Sequence, residues 1–165
     1  MNGYTIATMT TPSTPQRRSW SVCSSHAIFQ SDVNLIWPLL ADFKTLPSLV
    51  PDVASCVVNG KGVGLTRDLT FKDGKTVHEV LIVNHPQLYR LSYSMSDPTP
   101  FPWNHYFCTQ QLQSLGAGQT HFLYTGYFHP NGATEAEVQD NLRDFYHAVF
   151  AGIGRVLNVN FTIQQ

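Results

Sequence analysis

The spacing of apolar residues along this chain changes period several times, and each change marks an element. Over residues 20–29 the even positions carry Trp, Val, Ser, His and Ile, a mixed two-residue alternation that predicts a strand with one face covered. From Val33 the period lengthens. Val33, Ile36, Trp37 and Leu40 fall three and four apart, as on one side of a helix, with Ser31 or Asp32 placed to cap it. Pro38 has no N–H and crowds the preceding turn, so this helix is short or kinked, and Pro47 and Pro51 keep the following stretch broken. Strands are predicted next over residues 53–59, 64–71, 76–84 and 89–96, separated by Gly60-Lys61-Gly62, Lys72-Asp73-Gly74-Lys75 and His85-Pro86. Asp73-Gly74 predicts a tight hairpin in which both central residues take positive φ. A proline-rich loop, 97–103, precedes two further strands, 105–115 and 119–128, joined through Gly116-Ala117-Gly118.

The C-terminal part has the clearest period. Thr134 and Glu137 have capping-box spacing, and Val138, Leu142, Phe145, Val149, Ile153 and Val156 then recur at steps of three and four. This predicts one amphipathic helix of roughly 23 residues, about 35 Å long. Consecutive strands with short links specify an antiparallel sheet, here of seven strands, and exclude a doubly wound one; the fold class is α+β, with sheet and helix covering each other. The organisation expected is a disordered or loosely ordered segment over 1–18, rich in Thr, Ser, Pro and Gln, one domain over 19–157, and a tail over 158–165.

Composition narrows the partners. Of the 165 residues, 42% are hydrophobic and only 13% charged, about half the charged share usual for a soluble domain, which suits a mild surface and a large or open interior. Ten Lys plus Arg against 11 Asp plus Glu, scattered singly, provide no field for a polyanion, so nucleic acid is not an expected partner. Cys23, Cys56 and Cys108 are odd in number and far apart, and read as reduced core thiols. The first residues lack a basic region followed by an apolar one, and no run approaches 18 apolar residues, so a soluble cytoplasmic protein is expected, a monomer or weak homodimer. The seven histidines form no His-x-His, His-x-x-x-His or His-Glu-x-x-His pattern and the glycines no phosphate loop, so no metal and no cofactor are expected.

One strand, two short helices, six consecutive strands and a long helix is the order of the helix-grip fold. The run from Val57 to Asp68, with Gly60, Gly62, Gly64 and Arg67, resembles a stretch of the START/Bet v 1-like (SRPBCC) superfamily. So do Ile36-Trp37-Pro38-Leu39-Leu40-Ala41-Asp42-Phe43, His78-Glu79-Val80-Leu81, Arg90-Leu91-Ser92-Tyr93-Ser94 and Phe128-His129-Pro130. Within that superfamily the chain looks most like the polyketide cyclase/dehydrase and lipid-transport group, across residues 19–157. The resemblance implies a curved sheet wrapped around the long helix, with a cavity between them for a hydrophobic or aromatic small molecule. It does not imply one chemistry, since the scaffold serves carriers, receptors and enzymes. Plant abscisic-acid receptors are disfavoured, because the Ser-Gly-Leu-Pro-Ala gate loop is absent where Phe71-Lys72-Asp73-Gly74 stands.

The family register turns Val77, Glu79, Leu81 and Val83 inward, and Arg67, with Leu65, Leu69 and Phe71, faces them from the neighbouring strand. Glu79 is then either an acid–base group or half of a structural pair bracing the barrel. Tyr93, Met95, Tyr106, Cys108, Gln110, Phe122, Tyr124 and Phe128 fall on the inward alternation of their strands, a few polar tips among aromatics. Leu142, Phe145, Tyr146 and Val149 face the cavity from the helix, and Phe101 and Trp103 stand on a rim loop. In the enzyme reading Glu79, Tyr106 and Tyr124 are catalytic, the tyrosines donating to a developing enolate in a cyclase- or dehydratase-type reaction. In the carrier reading the same groups only orient a lipid-like or hormone-like ligand. Cys108 is expected to be a small core hydrophobe rather than a nucleophile and His105 to lie at the mouth; in a third reading, a structural partner-binding domain, the Phe101–Trp103 loop is an exposed aromatic patch.

Overall fold

Small residues begin the fold. The computed structural model describes residues 19–164, so the expectation for residues 1–18 lies outside the described residues. In β1 (Ser21–Phe29) the odd positions Ser21, Cys23, Ser25, Ala27 and Phe29 are the buried ones. The even face read from the sequence is therefore the outer one, with Trp20 and Val22 exposed, and the small inner residues let the long helix approach. Ser25 Oγ meets His147 Nε2 at 2.9 Å, and the Cys23 thiol donates to the Gln139 carbonyl at 3.5 Å, fixing that helix to the strand.

Asp32 caps α1 (Val33–Ala41), its carboxylate accepting from the Asn34 N–H at 2.8 Å. The helix carries Pro38 inside and stops at Asp42, and α2 (Leu46–Leu49) is a single turn beginning beside Pro47. The chain then runs through β2 (Val53–Asn59), β3 (Thr66–Phe71), β4 (Thr76–His85), β5 (Arg90–Met95), β6 (Trp103–Gly116) and β7 (Gln119–Pro130). The 71–75 hairpin forms, with one correction. Only Gly74 takes positive φ (86°), while the Gly74 N–H donates to the Phe71 carbonyl at 2.9 Å and the Phe71 N–H to the Lys75 carbonyl at 2.8 Å. That is a three-residue loop closed by a left-handed glycine, not a two-residue turn with both residues at positive φ.

The long helix α3 (Glu135–Leu157) starts at a complete Thr134–Glu137 capping box. Its buried stripe is rotated from the one expected: Tyr146 and Phe150 are fully buried, Phe145 is half-buried and Val156 is 44% exposed. Gly152 lets the α2 backbone lie against α3, since a Cβ there would stand 2.1 Å from the Leu49 carbonyl oxygen.

The expected tail is part of the sheet. Asn158, at φ 52°, ends α3 in a left-handed turn, and β8 (Phe161–Gln164) pairs antiparallel with β1. The sheet therefore has eight strands in the order β2-β3-β4-β5-β6-β7-β1-β8, not seven. Four residues of mixed polarity are too short a run for period to reveal; the Phe161 ring stacked on Phe29 at 5.3 Å holds the strand in place. The whole sheet curls around α3, as in the helix-grip fold.

Candidate functional site

Between the concave face of the sheet and α3 lies a cavity of about 350 Å³. Leu69, Phe71 and Val77 form its sheet wall, Leu142 and Phe145 its helix wall, and Pro100, Phe101, Pro102 and Trp103 close it from the rim loop. Phe71 meets Phe101 edge-on at 5.6 Å, and Phe101 stacks on Trp103 at 4.8 Å and 15°. Most of the wall is thus aromatic or aliphatic, which suits a flat apolar guest.

The rim loop is anchored at its base. His105 sits in a bulge at φ 55°, and its backbone N–H donates to both carboxylate oxygens of Asp97, at 2.9 and 3.1 Å, while its ring Nδ1 meets the same carboxylate at 2.5 Å. Thr99 Oγ1 donates within the loop to the Phe101 and Trp103 carbonyls. His105 is thus spent on holding the loop and does not line the cavity. Trp103 is only 6% exposed, so the loop does not present it as the outward patch that the partner-binding reading needs.

At the deep end the β3/β4 register sets Arg67 opposite Glu79, and Nε of Arg67 donates to Oε2 of Glu79 at 2.5 Å. Arg67 Nη1 reaches the Phe43 carbonyl at 3.3 Å, and its guanidinium lies 3.9 Å from the Phe43 ring centroid and 5.0 Å from that of Tyr93. Burial pushes the Glu79 carboxyl above the ordinary carboxylate range against the downward pull of Arg67. Burial also works against the Arg67 charge, but the Glu79 carboxylate more than offsets it and keeps the guanidinium protonated. Glu79 Oε1 has no hydrogen-bond partner among the described residues, and it is not among the atoms closed off from space. One oxygen is held by Arg67, the other has no partner, and Glu79 lines the cavity.

Four buried phenols form two pairs beside it. Tyr93 Oη bonds Tyr124 Oη, Tyr106 Oη bonds Tyr146 Oη at 3.0 Å, and the Tyr124 and Tyr146 rings stack at 3.9 Å. Gly126 makes this possible, because a Cβ there would stand 2.2 Å from Tyr146 Oη. Burial holds all four phenols protonated well above the usual range. Each pair uses one hydroxyl proton and leaves the other available. Burial likewise pushes the Cys108 thiol up to about 12, so it is a packed, unreactive group.

Of the residues singled out from the sequence, Glu79, Leu69, Phe71, Tyr93, Met95, Tyr106, Phe101, Trp103, Leu142 and Phe145 line the cavity. Arg67, Gln110 and Val149, with Tyr93 again, line a separate small pocket of about 20 Å³, room for one water molecule. Leu81, Cys108, Phe122, Tyr124 and Tyr146 are packed in the core behind the wall. Their inward alternation was legible, but depth along the sheet is not a property of period. Sequence reasoning missed Lys75, Pro100, Pro102 and Asn141 as lining residues. The two prolines stand in the rim loop already singled out; Lys75, just past a turn, and Asn141, on the polar side of the helical stripe, carried no signal. Among the described residues no group of three or more His, Cys, Asp or Glu side chains is placed to hold a metal ion, and no helix is long and apolar enough to cross a membrane.

Solved structures share this architecture at low identity. XoxI from Bacillus cereus aligns with a TM-score of 0.74 at 21% identity, over 82% of this chain and 94% of its own. The Zhui aromatase/cyclase from Streptomyces sp. R1128 aligns at 0.69 and 17%, over 83% and 93%. Norcoclaurine synthase from Thalictrum flavum, solved with dopamine and hydroxybenzaldehyde, aligns at 0.69 and 16%, over 84% and 87%. No curated protein matches the sequence. At these identities the likeness establishes the fold alone. The sequence profile described as polyketide cyclase/dehydrase and lipid transport matches residues 22–157, most of the chain. The chain belongs to the polyketide cyclase/dehydrase and lipid-transport family, and its family and fold fit the binding of a hydrophobic small molecule.

Proposed function

We propose that this protein is a cofactor-independent tailoring enzyme that holds a polyketide-like aromatic intermediate in the cavity and promotes its cyclisation or dehydration. The observation that carries the reading is Glu79: a carboxyl 3% exposed, on the wall of a mostly apolar cavity, held through one oxygen and unpartnered at the other. Its raised pKa suits a group that takes a proton from an activated carbon and returns it to a leaving hydroxyl. Tyr106, on the same wall, donates its free hydroxyl proton to an enolate oxygen. Tyr124 acts through Tyr93 and is a positioning residue, since it does not reach the cavity. The aromatic walls fix the guest flat beside Glu79, and positioning supplies much of the rate.

A second reading has its own observation. Arg67 already matches the charge of Glu79, and the four phenols bond one another, as in a carrier whose polar groups only orient its ligand. Turnover of a poly-β-carbonyl substrate by Glu79→Gln separates the two. The enzyme reading expects a loss of about 100-fold or more in kcat with binding retained; unchanged turnover, or none in the native protein, removes it in favour of the carrier. Because the substitution leaves Arg67 without its ion pair, thermal unfolding of the variant is measured alongside.

A further inference from the structure

The cavity has two poles of different charge. At the deep pole the Glu79 carboxylate already has its cation in Arg67, and its open oxygen repels any second anion. At the mouth stands Lys75, exposed just before β4 and the only cation lining the cavity among the described residues. Asn141 lines it from the helix side, also exposed. The Lys75 ammonium is engaged by Asp73, two residues back in the same turn. One carboxylate occupies one of its three donors, so a ligand oxygen joins or replaces Asp73 without leaving a buried group unpaired.

We propose that Lys75 is a specificity-determining residue that selects aromatic ligands carrying an anionic oxygen, a carboxylate or phenolate, at the end left facing the mouth. The inference rests on the cavity being an aromatic binding site and adds a direction to it. The ring lies among Phe71, Phe101, Trp103 and Phe145, the anionic end stays near water beside Lys75, and any hydroxyl donor on the far end meets Glu79. The opposite orientation would desolvate the anion and set it against Glu79. Asp73 is the built-in competitor. The preference is modest and salt-sensitive, because the pair is exposed.

The test uses two probes with one ring system, 2-naphthoate and 2-naphthamide, titrated calorimetrically into the full chain at low and high salt. The expected result is binding of the acid about two- to fivefold tighter than the amide at low salt, shrinking at high salt. Lys75→Met brings the ratio to about one, and Asp73→Asn widens it. A preference for the acid that survives Lys75→Met, or no preference in the native protein, overturns the role of Lys75 and leaves the aromatic site standing. If neither probe binds the native protein, the binding-site reading fails and this inference with it.

Discussion

Asp97 and Gly126 show how single side chains set the cavity without touching a guest. Asp97 makes three contacts to His105 and ties both ends of the rim loop together. Asp97→Ala removes one bifurcated hydrogen bond from the His105 N–H to a carboxylate, worth about 1.5–3 kcal/mol, and a weaker exposed contact to the ring, and the loop opens. Expected outcomes are faster amide hydrogen exchange over residues 97–105 and a weakening of cavity-ligand binding of about tenfold, read by calorimetry. Gly126 is the one inward position of β7 where a methyl group would meet two phenols, Tyr146 and Tyr106. Gly126→Ala therefore forces the Tyr106–Tyr146 pair aside, at a cost of about 1–3 kcal/mol in urea unfolding. The thiols should differ in the same spirit. Cys108 is fully buried and held protonated to about 12, whereas Cys56 is half-buried, so iodoacetamide at pH 8 should label Cys56 and leave Cys108 unmodified until the chain unfolds.

Turns and short strands are where elements departed from their sequence signals. The β6/β7 turn places Ala117 at φ 49° beside Gly118 at φ 71°, a left-handed pair of the kind expected at Asp73-Gly74 but found here with alanine in it. Ala117→Gly should therefore stabilise the protein by up to about 1 kcal/mol in urea titration, reversing the usual cost of glycine, because a Cβ is strained at that φ. The strands and α3 were legible because burial on one face imposes a period on many residues at once. The capping box, Pro38 and the inward set on β3 to β7 were legible for related local reasons. β8 was not, since Phe161-Thr162-Ile163-Gln164 alternates over only two repeats, too few to stand out at the end of the chain, and its place depends on the turn at Asn158 and on Phe161 meeting Gly154 and Phe29. Lining residues were half legible: alternation states which way a side chain points, not whether it ends in the cavity, as with Tyr93, or behind it, as with Tyr124.

At the scale of the whole molecule the sheet is open and curved, with β2 at one edge and β8, paired along β1, at the other. On the outer face of β1 and β7, His26 Nδ1 and His121 Nε2 lie 3.0 Å apart. Partial burial, then the neighbouring His26, lowers the pKa of His121. A group whose folded pKa is depressed adds stability that is present above its unfolded value, near 6.5, and is lost as pH falls through the lower folded value. Urea midpoints should accordingly fall between pH 7 and pH 5, and His121→Gln should flatten that part of the profile; an identical slope in the variant would assign the acid sensitivity elsewhere.

The placement of Trp103 has a consequence for observing the protein. The chain has three tryptophans: Trp20 is 52% exposed on the outer face, Trp37 is half-buried on α1, and Trp103 forms part of the cavity wall. With Trp20 and Trp37 replaced by phenylalanine, emission would come from one indole stacked on Phe101 at the threshold of the cavity. Filling, emptying and loop movement would each change its colour or brightness, so the occupancy of the protein could be followed in real time with no dye attached.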